Sequence, residues 1–371
     1  MKKIILVGLL FVLLVGSVFV YKSFNSVPDD IACLVVDFDS VVYVVENGYA
    51  PFKFKVTDEN RKEYEALKKS LVKDIKEQKR SWQDAVCAYV GWFGDYHFRV
   101  EGDEEIYELY KKYGRQYIDY FSLISEYCPD FMSCKVDEDT WLIRVPSFWK
   151  TEDWVRESVN EYVASKCPNL IVDIRGNDGG SDENFSPLLN LLYDGLKKPT
   201  DGIVDRLSPL NIKLLKEAGR TNEDFKEDGY PIDDPSAPEY FIRIPDGYIL
   251  EFDSISISPL PLRAAVIIDN WNASSAEEFL LEIKASNERT RIYGKDNTSG
   301  CVDSGNCIYY HPSNKLLSIC YPISYSPRYE KGTCIDPTGI APDIRIPLPY
   351  PDKLTDNIDE WVIWVAADLK K

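Results

Sequence analysis

Two segments of the chain share one pattern of apolar and polar positions. Asn169–Tyr193 and Ala264–Ser286 each begin with a short apolar run, continue with a polar loop and end with apolar residues at helical spacing. This pattern predicts a buried strand, a tight loop and an amphipathic helix in each segment. A loop between a buried strand and a helix N-terminus can direct a nucleophile and backbone N–H groups at one point. The two segments therefore indicate an enzyme site.

The pattern before these segments is mostly helical. Apolar positions recur at helical spacing in Asn60–Arg80, and Trp82–Trp92 and Glu104–Tyr127 are also helix-like. The apolar stripe of the first of these helices consists of Tyr64, Leu67, Leu71 and Ile75. We therefore expect a mostly helical N-terminal domain over residues 27–135.

Strands and helices alternate in the rest of the chain. A strand is expected at Trp141–Val145 and a helix at Asp153–Ser165. Further strands are expected at Arg291–Gly294, Leu316–Tyr321 and Ile344–Ile346. The alternation predicts an α/β domain over residues 140–350. Within it, residues 197–259 are rich in Pro, Asp and Gly, which favours an insertion or lid with little regular structure.

The N-terminus has the pattern of an export signal. Lys2 and Lys3 precede the uncharged run Ile4–Val20, so residues 1–22 are expected to be a signal or membrane anchor. No small-residue cleavage site is evident, which favours an uncleaved anchor over a cleaved signal peptide. The protein is accordingly expected to be exported, and to be either membrane-anchored or periplasmic or extracellular.

Composition and charge exclude some classes of function. A formal net charge of −18 over 371 residues argues against nucleic-acid binding, because such a surface repels polyanions. Nine cysteines in an exported chain permit disulfides, although scattered free thiols are the alternative. Candidate pairs are Cys128 with Cys134, Cys301 with Cys307, and Cys320 with Cys334. The chain has no C-x-x-C pair and its two histidines lie far apart in sequence, so no metal and no cofactor are expected.

Ser274 is the candidate nucleophile. It follows the expected strand Ala264–Asp269 and begins the helix, where free N–H groups can stabilise an oxyanion. The alternative is structural, because Ser274 with Glu277 and Ser275 with Glu278 both fit the S-x-x-E capping box.

The glycine loop and a histidine could complete such a site. Gly179 and Gly180 would allow backbone N–H groups to approach a substrate carbonyl, or would serve only a turn that needs positive φ. Arg175 is expected to anchor this loop to a carboxylate. His97 could accept the proton of a serine, although a single histidine at the start of a strand is often structural.

Four motifs follow one another along the chain. They are D-x-H at Asp95–His97, D-x-R-x-N-x-G-G at Asp173–Gly180, S-x-[AGS]-E at Ser274–Glu277 and [ED]-x-x-G-[IV]-x-P-D at Asp336–Asp343. In this order they resemble the motifs of the S41 peptidases, a family that includes C-terminal processing (tail-specific) proteases and the tricorn core protease. The first lies in the N-terminal helical domain. The resemblance covers residues 33–347, and four ordered motifs are more specific than any single one.

The resemblance implies a fold and a site. The fold would be a ClpP/crotonase-like ββα spiral catalytic domain preceded by a small helical domain. Ser274 would be the nucleophile, and the N–H of Ser275 together with that of Gly179 or Gly180 would form the oxyanion hole. Only about forty residues separate His97 from the next expected strand, too few for the PDZ domain that processing proteases carry there, so the chain is most similar to a compact, PDZ-less, secreted subgroup.

The residue expected to act as the catalytic base differs from that of one branch of the family. Tail-specific proteases use a lysine in a T-x-G-K context, and the corresponding stretch here is Thr298-Ser299-Gly300-Cys301. The tricorn-like branch uses a histidine from the D-x-H element and a late carboxylate. His97 and Asp336 occupy those positions, so the resemblance implies a Ser274–His97 pair with Asp336 orienting or polarising the histidine.

The sequence therefore predicts a serine peptidase of the cell envelope that acts on peptides or proteins. The alternative is a catalytically weak or inactive protein of the same fold that binds peptides or glycans. An esterase is a third interpretation, because a serine–histidine site does not itself choose between amides and esters. Oligomeric state is not predicted.

Overall fold

The computed structural model describes residues 29–114, 118–195, 202–234, 236–243 and 257–371. The expected signal or anchor at residues 1–22 lies outside these ranges. Among the residues that the structure describes, no helix combines the length and the apolar character needed to cross a bilayer.

Helices form the N-terminal part of the chain, as the pattern predicts. They are α1 (Asp29–Gly48), α2 (Phe52–Lys55), α3 (Arg61–Lys76), α4 (Trp82–Gly91) and α5 (Glu104–Tyr110). Helix α3 buries Tyr64, Leu71 and Ile75 of the predicted stripe. Helix α4 begins after Ser81, whose hydroxyl accepts the N–H of Asp84. This hydrogen bond satisfies a donor that would otherwise lack a partner at the helix N-terminus.

The expectation of one helix over Glu104–Tyr127 was wrong. Helix α5 ends at Tyr110, and the segment continues with the short helix α6 (Tyr120–Leu123) and the strand β2 (Glu126–Tyr127). Gly114 lies in the turn that follows α5. Glycine disfavours a helix interior by about 1 kcal/mol relative to alanine, so helical periodicity alone does not extend α5 through it.

A largely parallel sheet forms the centre of the catalytic part. Its strands, in spatial order, are β12 (Ile344–Arg345), β9 (Thr290–Gly294), β8 (Arg263–Ile268), β5 (Asn169–Asp173), β4 (Thr140–Arg144) and β3 (Met132–Lys135). All neighbours are parallel except β3, which runs antiparallel to β4. Strand β5 is buried along its whole length, as expected for a parallel strand covered on both faces.

Helices cover the two faces of this sheet. One core contains α7 (Glu152–Ser165), α8 (Ser186–Leu192) and α11 (Ser275–Ser286), packed on alternate residues of the strands such as Leu170. The other core packs α13 (Glu360–Asp368) on the intervening residues such as Ile171. A short 3₁₀ helix, Asp182–Phe185, precedes α8.

An antiparallel sheet connects the N-terminal helices to the catalytic part. Its strands are β1 (Arg99–Glu101), β11 (Ser318–Tyr325), β6 (Ile203–Arg206) and β7 (Tyr240–Arg243), with β10 (Ser304–Tyr310) also paired to β11. Ile319 and Tyr321 of β11 share a core with helical residues such as Phe38 and Tyr89. The remaining described elements are α12 (Arg328–Lys331) and β13 (Lys353–Leu354), the latter paired with β2.

The expectation that residues 197–259 have little regular structure was wrong where that segment is described. It contributes β6 and β7 as well as the helices α9 (Pro209–Glu217) and α10 (Asn222–Glu227). These elements are short and polar, and β6 is stabilised by pairing with the remote strand β11. Residues 196–201 and 244–256 lie outside the described ranges.

The predicted class, an α/β catalytic domain with a helical N-terminal region, is confirmed. The strands expected at Arg291–Gly294, Leu316–Tyr321 and Ile344–Ile346 correspond to β9, β11 and β12. All nine cysteines are free, so none of the three candidate disulfides is formed.

Candidate active site

Ser274 lies at a sharp turn between strand β8 and helix α11. Its backbone has φ of +53° and ψ of −125°, a conformation that residues with a side chain rarely adopt. A strand-to-helix turn of this kind exposes the serine hydroxyl at the end of a sheet. The predicted strand, loop and helix of this segment are therefore confirmed.

Contacts from neighbouring segments hold this turn. The Ser274 N–H donates to the Cys301 carbonyl at 2.8 Å, and the Ser274 carbonyl accepts the N–H groups of Glu277 and Glu278 at 2.9 and 3.0 Å. The side-chain amide of Asn272 donates to the Asn177 carbonyl at 3.1 Å and so ties the turn to the glycine loop. A strained backbone persists only when its surroundings fix it in this way.

The alternative interpretation of the two serines as capping residues is wrong. The Ser274 side chain makes no capping hydrogen bond. The Glu277 carboxylate accepts the N–H groups of Gly300 and Cys301 at 2.8 and 2.7 Å instead of folding back onto the helix start. The Ser275 hydroxyl donates to the Gly180 carbonyl at 3.2 Å.

The glycine loop packs directly against Ser274. Gly179 has φ of +110°, and a Cβ atom there would lie 2.8 Å from the Ser274 Cβ. Gly180 has φ of +146°, and a Cβ atom there would overlap the backbone of Phe148. Both positions therefore require glycine for close approach as well as for backbone conformation.

The backbone N–H groups of this region differ in their partners. Gly179 donates its N–H to the Asn177 side-chain oxygen at 2.8 Å. Among the hydrogen bonds of the described ranges, the N–H groups of Gly180 and Ser275 have no acceptor. Of the expected oxyanion donors, Ser275 and Gly180 therefore have free N–H groups, whereas Gly179 provides close packing.

Arg175 anchors the glycine loop to carboxylates, as predicted. Its guanidinium lies 2.7 Å from both Asp173 and Asp359. Arg144 contacts the same two carboxylates at 2.7 and 3.2 Å, and all four side chains are buried. Burial raises the pKa of Asp173, but the two guanidiniums outweigh it and hold this pKa below its usual range.

His97 comes from the N-terminal part of the chain, immediately before β1. Asp95 accepts the His97 backbone N–H at 2.9 Å, and it also accepts the hydroxyls of Tyr49 and Ser304 at 2.6 and 2.8 Å. The His97 Nδ1 lies 3.3 Å from the Cys301 Sγ. Burial lowers the pKa of His97, against the opposing charge of Asp95, so the imidazole is neutral near pH 7.

Asp336 lies next to this group on the loop that follows α12. Its carboxylate accepts the N–H groups of Val302 and Asp303 at 2.9 and 3.2 Å. Burial and the nearby Asp303 raise the pKa of Asp336 well above its usual value. No hydrogen bond between Asp336 and His97 occurs among the described residues, and its orienting role stays a prediction.

One cavity of about 1120 Å³ brings the predicted residues together. Ser274, Ser275, Gly180 and His97 line it, whereas Gly179 and Asp336 do not. In the part of the chain that is described, no hydrogen bond joins the Ser274 hydroxyl to the His97 ring, and no group of His, Cys, Asp and Glu side chains is arranged to hold a metal ion.

The wall of the cavity beside helix α11 is acidic. Glu278 and Glu282 lie one helical turn apart there, together with Asp182. Burial raises the pKa of Glu278 to about 7. Burial and the charge of Asp182 raise the pKa of Glu282 to about 7. This wall therefore becomes more negative as the pH rises through neutrality.

Cys301 is the site residue whose contacts the sequence did not predict. From the sequence, Cys301 is only a disulfide candidate and the residue that stands in place of a lysine. Its position after Thr298-Ser299-Gly300, where one branch of the family places its base, was the signal that could have identified it. A thiol in place of a charged amine obscured that signal.

Known structures share this fold. Mature CPAF is 13% identical with a TM-score of 0.55, and the match covers 85% of this chain and 92% of that one. CPAF complexed with lactacystin has a TM-score of 0.54 at 13% identity, covering 85% of this chain and 94% of that one. A peptidase from Parabacteroides merdae has a TM-score of 0.50 at 13% identity, covering 87% and 90%. No curated protein sequence matches this chain.

The family itself is shown by sequence. The model of peptidase family S41 matches residues 139–346, which is more than half of the chain. This range contains three of the four motifs found in the sequence, including the turn that carries Ser274. The protein therefore belongs to peptidase family S41, a family of serine proteases.

Proposed function

We propose that this protein is an exported serine peptidase of the cell envelope in which Ser274 attacks a peptide carbonyl and His97 accepts its proton. One observation carries the proposal. Ser274 has a strained, left-handed backbone in the wall of a cavity that it shares with His97, Ser275 and Gly180, and the N–H groups of the last two have no acceptor among the described residues. Such a turn costs stability, and it is kept where the side chain must be presented to a substrate.

The reaction follows from these positions. Neutral His97 removes the hydroxyl proton as the Ser274 oxygen bonds to the carbonyl carbon of the scissile peptide. The resulting oxyanion accepts the N–H groups of Ser275 and Gly180, whose direction is fixed before the substrate arrives. The imidazolium then gives its proton to the leaving amine, and water hydrolyses the acyl-enzyme by the same steps in reverse order.

Negative charge near His97 favours this cycle. The Asp95 charge raises the pKa of His97 against the effect of burial. An imidazolium formed during the reaction would therefore be stabilised by Asp95, whereas the role proposed for Asp336 is to orient the ring. The low starting pKa keeps the base unprotonated near neutral pH, and Asp95 reduces the cost of charging it.

Labelling with a fluorophosphonate probe tests the chemistry. We expect the wild type to be modified at Ser274, and the Ser274→Ala and His97→Ala variants to lose the label. His311→Ala is the matched control, because His311 is the only other histidine and is exposed. Undiminished labelling of Ser274→Ala or His97→Ala would overturn the proposed mechanism. An unlabelled wild type that still binds peptides would support the binding-only alternative.

Fractionation of cells tests the location. We expect the full-length chain to remain with membranes after carbonate washing and a chain that lacks residues 1–22 to stay in the cytoplasm. Recovery of the full-length chain in the cytoplasm would contradict an envelope role.

A further inference from the structure

Cys301 contacts both partners of the proposed reaction. Its Sγ lies 3.3 Å from the His97 Nδ1, and its carbonyl accepts the Ser274 N–H at 2.8 Å. The Cys301 N–H in turn donates to the Glu277 carboxylate at 2.7 Å. The residue is 5% exposed and thus has little freedom to move. One buried residue therefore couples the position of the histidine ring to the position of the serine backbone.

The thiol of Cys301 is held in its neutral form. Burial raises its pKa well above the usual value, and the charges of Asp336, Asp95 and Glu277 add to this effect. A thiolate beside His97 would form an ion pair and would itself be a nucleophile. A neutral thiol can act only as a hydrogen-bond partner of the ring.

The hydrogen bonds of the His97 ring, with the Cys301 Sγ at Nδ1 and with the Ser304 carbonyl, together decide which ring nitrogen is available for chemistry. A neutral imidazole carries one proton, and the hydrogen bond made by one nitrogen sets the state of the other. If Nδ1 carries the proton and donates it to Sγ, Nε2 retains its lone pair. Only that tautomer can remove a proton through Nε2, and the wrong tautomer disables the histidine of a serine protease.

We propose that Cys301 is a positioning residue for His97, which accepts the Nδ1–H on its Sγ and leaves Nε2 as the proton acceptor. The inference rests on the proposed function, in which His97 is the base. It assigns to a neutral thiol the task that a carboxylate performs in the familiar serine–histidine–aspartate arrangement. Asp336 then acts on His97 only indirectly, because its carboxylate accepts the N–H groups of Val302 and Asp303, which follow Cys301 in the chain.

Nitrogen NMR of the full chain measures the tautomer directly. The protein has two histidines, so ¹⁵N-histidine labelling gives two ring systems, and His311→Gln identifies that of His97. At a pH where His97 is neutral, we expect the Nδ1–H tautomer in the wild type and in Cys301→Ser, and a shift towards Nε2–H in Cys301→Ala. An Nε2–H tautomer in the wild type, or a tautomer unchanged by Cys301→Ala, would overturn the inference.

The rate of fluorophosphonate labelling gives the functional readout. We expect Cys301→Ala to lower the rate at Ser274 by at least about tenfold and Cys301→Ser to restore part of it, because a hydroxyl can also accept the Nδ1–H. Cys167→Ala is the matched control, since Cys167 is equally buried and its Sγ contacts the Glu138 carbonyl instead of a histidine. Equal rates in Cys301→Ala and Cys167→Ala would count against a positioning role.

The two readouts separate this inference from the proposed function. If labelling requires Ser274 and His97 but is indifferent to Cys301, only the positioning role fails. If the wild type is not labelled at all, the proposed function fails. The NMR measurement of the His97 tautomer still decides whether Cys301 fixes which ring nitrogen carries the proton.

Discussion

At the scale of single residues, the site depends on backbone conformations that most side chains avoid. Ser274, Gly179 and Gly180 all have positive φ, and they lie against one another where strand β8 and strand β5 end. A serine in this region of conformational space costs about 1–2 kcal/mol, which the surrounding hydrogen bonds must offset. The same hydrogen bonds fix the direction of the hydroxyl before any substrate binds.

Replacing Gly179 tests this close packing. We expect Gly179→Ala to lower the labelling rate of Ser274 by at least about tenfold, because the new Cβ would lie 2.8 Å from the Ser274 Cβ and displace it. Gly219→Ala is the matched control. Gly219 has a similar φ of +100° with no neighbouring atom within 4 Å, so it loses stability without displacing the site. Equal labelling rates in the two variants would show that the contact is unimportant.

In the proposed mechanism, the protonation of His97 sets the acid limit of the reaction. Because burial lowers the pKa of His97, the base stays neutral to a lower pH than an ordinary histidine. We therefore expect the labelling rate to rise with pH through a midpoint below 6.5, the value of an unperturbed histidine. Rates measured from pH 4.5 to 9 give this midpoint. A midpoint above 6.5 would contradict the neutral state assigned to the ring.

Other groups near the cavity also titrate close to neutrality. Glu282→Gln removes one carboxylate whose pKa is raised to about 7. We expect this variant to keep the acid midpoint of the wild type, because it retains His97. A midpoint that moves in Glu282→Gln would assign the titration to the acidic wall instead.

The candidate site residues could be proposed from the sequence because a catalytic role would restrict their type, order and spacing. A nucleophile, a histidine and paired glycines recur in fixed order and spacing, so Ser274, His97 and Gly180 were candidates before any fold was known. Cys301 was not, because its contact with His97 joins residues 204 positions apart. A cysteine thiol can have several roles, and only its contacts in the folded protein show which role applies.

At the scale of helices and strands, local periodicity predicts an element well when the element buries its own apolar face. Strands β5 and β8 have dense apolar patterns and helix α3 has an apolar stripe, and all three lie in the segments where the sequence pattern predicts them. Strands β6 and β10 are partly polar, and the sequence pattern does not predict them. Their stability comes from pairing with β11, a partner remote from β6, which a local pattern does not contain.

Glu277 links helix α11 to the loop that carries Cys301. Its carboxylate accepts the N–H groups of Gly300 and Cys301, and a glutamine there would turn an amide donor towards one of them. We expect Glu277→Gln to lower the free energy of unfolding by about 1–3 kcal/mol, as for the loss of buried, charge-assisted hydrogen bonds.

Urea unfolding and the labelling rate measure the two consequences of this change. The labelling rate should fall as well, because the Cys301 carbonyl holds the Ser274 N–H. Glu288→Gln is the control, since Glu288 is exposed just beyond the same helix. A Glu277→Gln variant with the stability of Glu288→Gln would contradict the proposed link.

Trp149, between strand β4 and helix α7, offers an apolar surface to a substrate. It is 65% exposed and lines the cavity of Ser274. We expect Trp149→Ala to raise the half-saturating concentration of a peptidyl fluorophosphonate about tenfold, equivalent to about 1.4 kcal/mol, with an unchanged limiting rate. Phe121→Ala, at a residue 71% exposed outside the cavity, is the control. A lowered limiting rate without a change in half-saturation would exclude a binding role.

At the scale of the whole molecule, the site is assembled from parts that are distant in the chain. His97 comes from the N-terminal helical part and Ser274 from the parallel sheet, and the antiparallel sheet that contains β1 and β11 joins the two. The C-terminal helix α13 is attached to the glycine loop through Asp359, which bonds to Arg175 and Arg144. The geometry at Ser274 therefore depends on segments from both ends of the described chain.

Asp359 gives the sharpest test of this dependence. Its carboxylate pairs with Arg144 and Arg175 and also accepts the Trp361 N–H at the start of α13. Asp359→Ala would leave two buried guanidiniums with one carboxylate, so we expect the free energy of unfolding to fall by about 3–5 kcal/mol. Asp359→Asn keeps an acceptor for the helix cap but loses the charge. Its free energy of unfolding should therefore lie between those of the wild type and Asp359→Ala.

Urea unfolding measures this order, and Asp356→Ala is its control, because Asp356 is exposed and makes a surface ion pair with Lys353 and an exposed hydrogen bond with the Thr355 hydroxyl. The labelling rate of Ser274 should also fall in Asp359→Ala at urea concentrations where the chain remains folded. This effect is expected because Arg175 loses one of the two carboxylates that fix the glycine loop beside Ser274. A destabilised Asp359→Ala that labels as fast as the wild type would mean that the ion-pair network supports the fold without positioning the site.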